Sequence, residues 1–196
     1  WAGRAHMPAL AAGVPGVELV AVCTTRQESA DEAAKKFGVP LAFSDRTKML
    51  EHPDVDVAAV VVKLPTHHEL TMDVIAAGKH VYTEWPLGAN AAQGEQMTSL
   101  ARSQGVRTIV GLQARMSPGH VHLKELVESG YLGRIIHCSL VQFTGGLSNR
   151  TSRLSWQADG ASGYSALTVP FGHVIDALCF AVGPFAEIEA TLSNQF

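Results

Sequence analysis

The sequence predicts an α/β protein: an open, doubly wound parallel sheet without its first strand, followed by the start of an α+β domain. Three observations carry that expectation. Runs with strand character alternate with 3.6-residue helical patterns from the first residues onward. The strongest run, Val55–Val62, is rich in β-branched residues and apolar on both faces, as a central strand covered by helices on each side must be. The helical patterns close at glycines, which adopt the left-handed cap conformation at no steric cost.

Taken in order, Val17–Cys23 reads as a strand and Ser29–Phe37 as a helix stopped by Gly38. Ala42–Phe43 is a short strand, and Asp45 is placed to cap a small helix reaching Leu50. After the Val55–Val62 strand come a helix over His67–Ala77 closed by Gly78, the strand His80–Glu84 and a turn at Pro86. A helix over Ala91–Gln104, ended by Gly105, feeds the strand Arg107–Gln113. The rhythm then changes. Ser117 is an N-cap candidate with Pro118 at the first helical position, for a helix running to Glu128 and stopped by Gly130. A long strand over Ile135–Phe143, a polar glycine-rich loop over Gly145–Gly163, a helix over Gly172–Val182 and a strand over Glu187–Leu192 complete the chain. The boundary is expected near Ala114, dividing residues 1–113 from an incomplete second domain, 114–196, because two strands do not make an independently stable sheet.

Composition narrows the function classes. The chain has 196 residues, 46% of them hydrophobic and 17% charged, which excludes disorder as the main state. Fifteen Lys and Arg against eighteen Asp and Glu leave no basic footprint, so nucleic acid is not expected as a direct partner. Cys23, Cys138 and Cys179 form no CxxC pair and point to a reducing, cytoplasmic setting. The longest apolar run, taken as Val57–Val62, is far short of the ~20 residues of a membrane helix, so no membrane partner is expected. His120, His122 and His137 have no metal-ligand spacing, and no metal site is expected. The opening Trp1-Ala2-Gly3-Arg4-Ala5-His6 reads like the inside of a motif, as in a fragment.

Three constellations carry chemistry. Gly3 opens a helix that leads to the strand ending at Cys23; in a dinucleotide-binding turn, such a glycine lets backbone amides approach a pyrophosphate at a helix N-terminus. Thr24 lies about 20 residues further on, where the residue that reads the adenosine ribose belongs. It is not acidic. The hydroxyls of Thr24 and Thr25 and the guanidinium of Arg26 suit a 2'-phosphate, which favours NADP over NAD as cofactor. The second constellation is the rim outside the carboxyl ends of the strands, where ligands of open α/β sheets bind. Lys63 and His67 follow one strand there, Glu84 and Trp85 the next, and Gln113 and Arg115 the last. Plainer roles remain open: a solvated Lys63 or Arg115, a helix-capping His67, a core Trp85. The third is His173, placed by Gly172 in the first turn of a helix, whose positive end favours the neutral imidazole of a proton acceptor. A structural histidine is the alternative.

Gly3-Arg4-Ala5-His6, Ala77-Gly78-Lys79-His80-Val81 before Glu84-Trp85-Pro86-Leu87, and Gly172-His173 with Asp176 together resemble the ordered motifs of the glucose-fructose oxidoreductase / inositol dehydrogenase / MocA (Gfo/Idh/MocA) family. Leu112-Gln113-Ala114-Arg115 with Ser117-Pro118, Lys124-Glu125-Leu126, Gly130-Tyr131-Leu132-Gly133 and Phe171-Gly172-His173 with Ile175-Asp176 resemble the branch that contains the fungal galactose-pathway repressor and its bacterial oxidoreductase relatives. The resemblance covers nearly the whole chain. It implies an N-terminal Rossmann domain that binds NAD or NADP, with Gly3, Glu84, Trp85 and Gln113 of the matching motifs toward the cofactor; Thr24, Thr25, Arg26, Lys63 and His67 are expected there from register and strand ends alone. It also implies a C-terminal α/β domain whose open sheet makes homo-oligomer contacts, and a sugar-like substrate. Two departures matter. Trp85 stands where the family has a proton-moving lysine, and an indole is neither an acid nor a base. Val169 stands where an Asp often precedes the catalytic histidine, leaving His173, with Lys63 or Tyr164 as assistants that no family match supports.

Two functions follow. One is an oxidoreductase that moves a hydride between nicotinamide and a hydroxyl-bearing carbon of a sugar or cyclitol, with His173 accepting the hydroxyl proton. The other is a non-catalytic regulator that binds dinucleotide and a protein partner, with Trp85 as a platform at the nicotinamide end.

Overall fold

The computed structural model describes residues 2–144 and 152–193. The chain divides into two compact units, Trp1–Gly111 with Ala158–Tyr164, and Leu112–Gln157 with Ser165–Phe196. In the first unit a helical turn over Ala2–His6 runs into α1 (Met7–Ala11), followed by β1 (Ala21–Cys23), α2 (Gln27–Phe37), β2 (Leu41–Phe43), α3 (Arg46–Glu51) and β3 (Val57–Val60). A 3-10 turn over Leu64–Thr66 leads to α4 (His67–Ala76), β4 (His80–Glu84), α5 (Ala91–Gln104) and β5 (Thr108–Gly111).

Every strand pair in this unit is parallel, but the strands form two wings rather than one sheet: β1-β2 and β3-β4-β5. In the doubly wound order 3-2-1-4-5-6 these wings flank the place of the first strand. Among the described residues no ladder joins β1 to β3. Strands also come out shorter than their apolar runs. Val17–Cys23 narrows to Ala21–Cys23 because only those residues find partners, in Leu41–Phe43, and Arg107–Gln113 narrows to Thr108–Gly111 opposite Val81–Glu84.

Helix ends follow local chemistry. The Asp45 carboxylate accepts from the Thr47 and Lys48 amides and starts α3, and the Asn90 side chain accepts from the Gln93 amide and starts α5. The main core packs Ala58 and Val60 of β3 and Val81 of β4 against Leu50, Val74, Ile75, Met97 and Ala101 from α3, α4 and α5. The other face is thinly covered. Val57 is 54% and Ile109 60% exposed, so the run around β3 is not buried on both faces as expected: α4 and α5 pack on one face only.

The second unit holds a 3-10 turn over Gln113–Met116, α6 (Pro118–Glu128), a turn over Leu167–Phe171 and α7 (Gly172–Val182), with α6 packed on α7. Ser117 does precede α6, yet its hydroxyl makes no cap bond and meets His120 Nδ1 at 2.9 Å instead. The two expected strands are not formed. Over Ile135–Phe143 and Glu187–Leu192 no ladder exists among the described residues, and Ile136, Phe143 and Ile188 stand in solvent. A strand without a hydrogen-bonding neighbour has nothing to satisfy its backbone, and the expected C-terminal oligomer sheet is therefore absent among the described residues. Of the expected Gly145–Gly163 loop, residues 145–151 lie outside the described residues, and Ser152–Ala158 and Gly160–Ser162 form 3-10 turns.

The expectation that Val57–Val62 is the longest apolar stretch also needs correction. The helical run Gly160–Val182 reaches 23 residues and is long and apolar enough, by length and composition, to cross a membrane. Gly163 breaks it with a left-handed φ of 74°, and Asp176 inside it is bound by Arg115 of the same unit.

Candidate functional site

The chemistry of the first unit gathers at the carboxyl end of β4. Strand alternation places Val81 and Thr83 on the core face and His80, Tyr82 and Glu84 on the other. There the ring of His6 meets Glu84: His6 Nε2 lies 2.8 Å from Glu84 Oε1, with the two side chains 23% and 19% exposed. The Tyr82 hydroxyl donates to the same oxygen at 3.3 Å, and its ring meets the His6 ring edge-on at 5.4 Å. Burial, then the Glu84 charge and hydrogen bond, push the Tyr82 phenol up to about 12. Room for the group comes from Gly111, which pairs with Glu84 in the β4-β5 ladder. A Cβ on Gly111 would overlap the Tyr82 hydroxyl and come within 3.0 Å of Glu84 Oε1.

Beyond Glu84 the chain turns through a cis Trp85–Pro86 peptide bond. His67, expected as a cofactor contact or helix cap, is instead a buried bridge. Its Nδ1 lies 2.9 Å from the Pro86 carbonyl and its Nε2 3.0 Å from the Val62 carbonyl, so both nitrogens are spent tying the end of β3 to the Trp85–Pro86 turn. Lys63 stands exposed beside this bridge and makes no ion pair among the described residues. Ala158–Tyr164 returns to the same unit and lies against the loop after Pro86, since a Cβ on Gly163 would overlap the Ala89 backbone.

At the end of β1 the Thr24 hydroxyl donates to the Arg26 carbonyl at 2.8 Å and meets Ser29 Oγ at 2.8 Å, a local turn that leaves Thr25 and the Arg26 side chain exposed. Gly3 sits inside the Ala2–His6 turn, where a Cβ would meet nothing within 4 Å, so packing does not require a glycine there. A cavity of about 580 Å³ lies elsewhere, lined by Arg46, Leu50, Asp73 and Lys79 toward the amino end of β4, away from the carboxyl rim.

The remaining candidates belong to the second unit. Gln113 opens the turn after β5, and Arg115 is not a free rim cation: its Nε donates to Asp176 Oδ2 at 2.7 Å and its Nη2 bonds Oδ1, a bidentate pair with Asp176 only 13% exposed. The Arg115 and Lys124 cations lie over the Phe180 ring. His173 does not start its helix. The turn Leu167–Phe171 runs directly into α7, so His173 lies beyond the first turn, where a helix terminus no longer acts on it. Its Nδ1 is buried with no hydrogen-bond partner among the described residues. Sequence reasoning placed His6 in the Gly3-Arg4-Ala5-His6 motif without a role at the site, and did not single out Tyr82 or Gly111. The i, i+2 spacing of Tyr82 and Glu84 on one strand face was the available signal; nothing local announced that His6 meets Glu84.

Comparison with known proteins places this geometry. The model of the oxidoreductase family with an NAD-binding Rossmann fold, Gfo/Idh/MocA, matches residues 1–112. The chain belongs to that family. A model of the Gal80p C-terminal domain matches residues 118–196. The dehydrogenase aclE of Aspergillus oryzae is 34% identical over 91% of this chain and 50% of its own length. The galactose/lactose metabolism regulatory protein GAL80 of Kluyveromyces lactis is 27% identical over 100% of this chain and 45% of its own. Among solved structures, levoglucosan dehydrogenase in complex with NADH and levoglucosan aligns with a TM-score of 0.76 at 26% identity over 93% of this chain and 50% of that one. Gal80p of Kluyveromyces lactis aligns with 0.84 at 25% identity over 94% and 48%. The chain thus spans about half the length of these Gfo/Idh/MocA relatives.

Proposed function

We propose that the full-length protein is an NAD(P)-dependent oxidoreductase that moves a hydride between the cofactor and a hydroxyl-bearing carbon of a sugar or cyclitol. The observation that carries this reading is the NAD-binding Rossmann match over residues 1–112 on a sheet whose strand ends present oriented polar groups. The donor set fits a dinucleotide. Thr24–Arg26 hold no carboxylate to repel a 2'-phosphate, the Arg26 guanidinium is exposed, and Gly3 leaves open space beside the first helical turn. These features favour NADP over NAD.

When bound, the dinucleotide supplies hydride chemistry at the nicotinamide C4. This chain's residues do the rest. Arg26 and Thr25 would hold the adenosine end, and Glu84 and Trp85 would border the nicotinamide end. His173, whose Nδ1 has no protein partner among the described residues, takes up the proton of the substrate hydroxyl at its imidazole. Trp85 would exclude water there and moves no proton. The test mixes the full-length protein with NADP or NAD and a panel of sugars and cyclitols and follows the absorbance of reduced nicotinamide. Turnover that falls by about 10²-fold or more in His173→Ala supports the reading, the usual cost of losing an acid-base group. Absence of turnover with every substrate overturns it.

A second reading rests on one specific observation, the Gal80p C-terminal match over 118–196 in a chain that also carries Trp85 in place of lysine. It is a dinucleotide-binding regulator that acts through a protein partner. Quenching of Trp85 fluorescence by NADP without turnover, abolished in Trp85→Phe, is its signature.

A further inference from the structure

We propose that His6 is the positioning residue of the Glu84 carboxylate, turning it so that Glu84 Oε2 is presented to a hydrogen-bond donor of the bound dinucleotide. The inference rests on the reading of this unit as the cofactor-binding domain and goes beyond it by assigning His6, Tyr82 and Gly111 a role toward one atom.

The geometry is asymmetric. His6 Nε2, at 2.8 Å, and the Tyr82 hydroxyl, at 3.3 Å, both converge on Glu84 Oε1. Oε2 has no protein partner among the described residues and is not among the buried unpaired atoms, so it stays open to a ligand. A carboxylate that only cemented the fold would distribute its donors over both oxygens or lie buried. Here one oxygen is clamped and the other is left accessible on a side chain that is 19% exposed. The clamp is built from three elements: His6 from the first helical turn, Tyr82 and Glu84 from β4, and Gly111 from β5, whose missing Cβ is the space that Tyr82 and Glu84 occupy. The edge-on His6–Tyr82 contact at 5.4 Å fixes the imidazole plane, so Nε2 is held toward the carboxylate.

Positioning of this kind stabilises binding by removing the freedom of the carboxylate before the ligand arrives. The experiment titrates the full-length protein with NADP and with NAD by calorimetry, alongside thermal unfolding without ligand, for wild type, His6→Leu, His6→Gln and Gly111→Ala. The expected result is a Kd about tenfold weaker in His6→Leu, the size of one charge-assisted hydrogen bond. His6→Gln, whose amide still donates toward Oε1, recovers most of that loss. Gly111→Ala, which displaces Tyr82 and Glu84 from the opposite side, weakens binding as well and decides the matter if His6→Leu does not fold. Unchanged Kd in both His6→Leu and Gly111→Ala, with only the unfolding temperature lowered, overturns the positioning role while leaving the cofactor reading intact. Failure of wild type to bind either dinucleotide overturns both.

Discussion

Two stretches of this chain carry the same strand-like pattern and meet different fates. His80–Glu84 lies between β3 and β5, with its even-numbered side chains on one face and Val81 and Thr83 buried on the other. Residues 135–143 are at least as apolar, yet Ile136 is 92% and Phe143 94% exposed, and among the described residues no ladder holds them. Alternating sequence offers a face for burial; a parallel neighbour and a covering helix turn the offer into structure. The first unit supplies both to β4. Within the second unit, the described residues supply neither to 135–143.

The largest expected effect separates these regions. Ile75, 1% exposed in α4, belongs to the cluster that covers β4, and Ile75→Ala is expected to cost about 2–5 kcal/mol in urea unfolding of the 196-residue chain. Ile136→Ala is expected to cost less than about 0.5 kcal/mol in the same chain. Equal losses at the two positions would break the comparison, because Ile136 would then have to be covered.

The second effect reverses the ranking. The Arg115–Asp176 pair in the second unit is bidentate with a largely buried carboxylate, whereas Arg46 in the first unit pairs with Glu69 and Asp73, whose side chains are 62% and 40% exposed. Asp176→Ala is expected to cost about 1.5 kcal/mol, discounted because Arg115 itself is half-exposed, and Arg46→Ala about 0.5 kcal/mol or less. Denaturant midpoints of the two variants check the order. The second unit therefore has a defined polar joint between its Gln113–Met116 turn and α7 even where its apolar segments stand uncovered.

How much was legible follows from the range of each interaction. Helices were read almost to the residue: Ala91–Gln104 and Pro118–Glu128 have the expected bounds, because periodicity and terminal residues act within a few positions. Strands were overextended or misplaced, because their limits are set by a partner far along the chain. The helix-start reading of His173 failed for a local reason. The turn Leu167–Phe171, with Pro170 inside it, continues directly into α7. Glu84 at the end of β4 and Arg26 after the end of β1 follow from register on the sheet. His6 does not: it meets Glu84 across 78 residues, and no pattern in either segment encodes that encounter.

A third effect tests whether caps act where sequence places them. Asn90 Oδ1 accepts from the Gln93 amide at 3.0 Å at the start of α5, while Ser117 makes no cap bond at the start of α6. Asn90→Ala is expected to cost about 1 kcal/mol and Ser117→Ala only a few tenths, about 0.3 kcal/mol. If thermal unfolding ranks them otherwise, the Ser117–His120 contact carries more than its surface position suggests.

The last effect is small at neutral pH, belongs to Tyr82, and grows only in base. Its phenol is raised from the ordinary value of 10 to about 12 by burial and by the Glu84 charge, so the native state holds this proton over a range where the unfolded chain releases it. The stabilisation is fully present below pH 10 and is lost as pH rises through about 12. Tyr82→Phe removes a long 3.3 Å bond to an oxygen that His6 still contacts, so the expected loss at pH 7 is less than about 1 kcal/mol. Above pH 10 the variant should lose stability less steeply than wild type, and the ultraviolet tyrosinate titration should lack its last step. A Tyr82 step, taken as wild type minus Tyr82→Phe, that titrates near the ordinary value of 10 instead would show that the phenol is open to solvent and that the shelter formed by His6, Glu84 and Gly111 does not hold it.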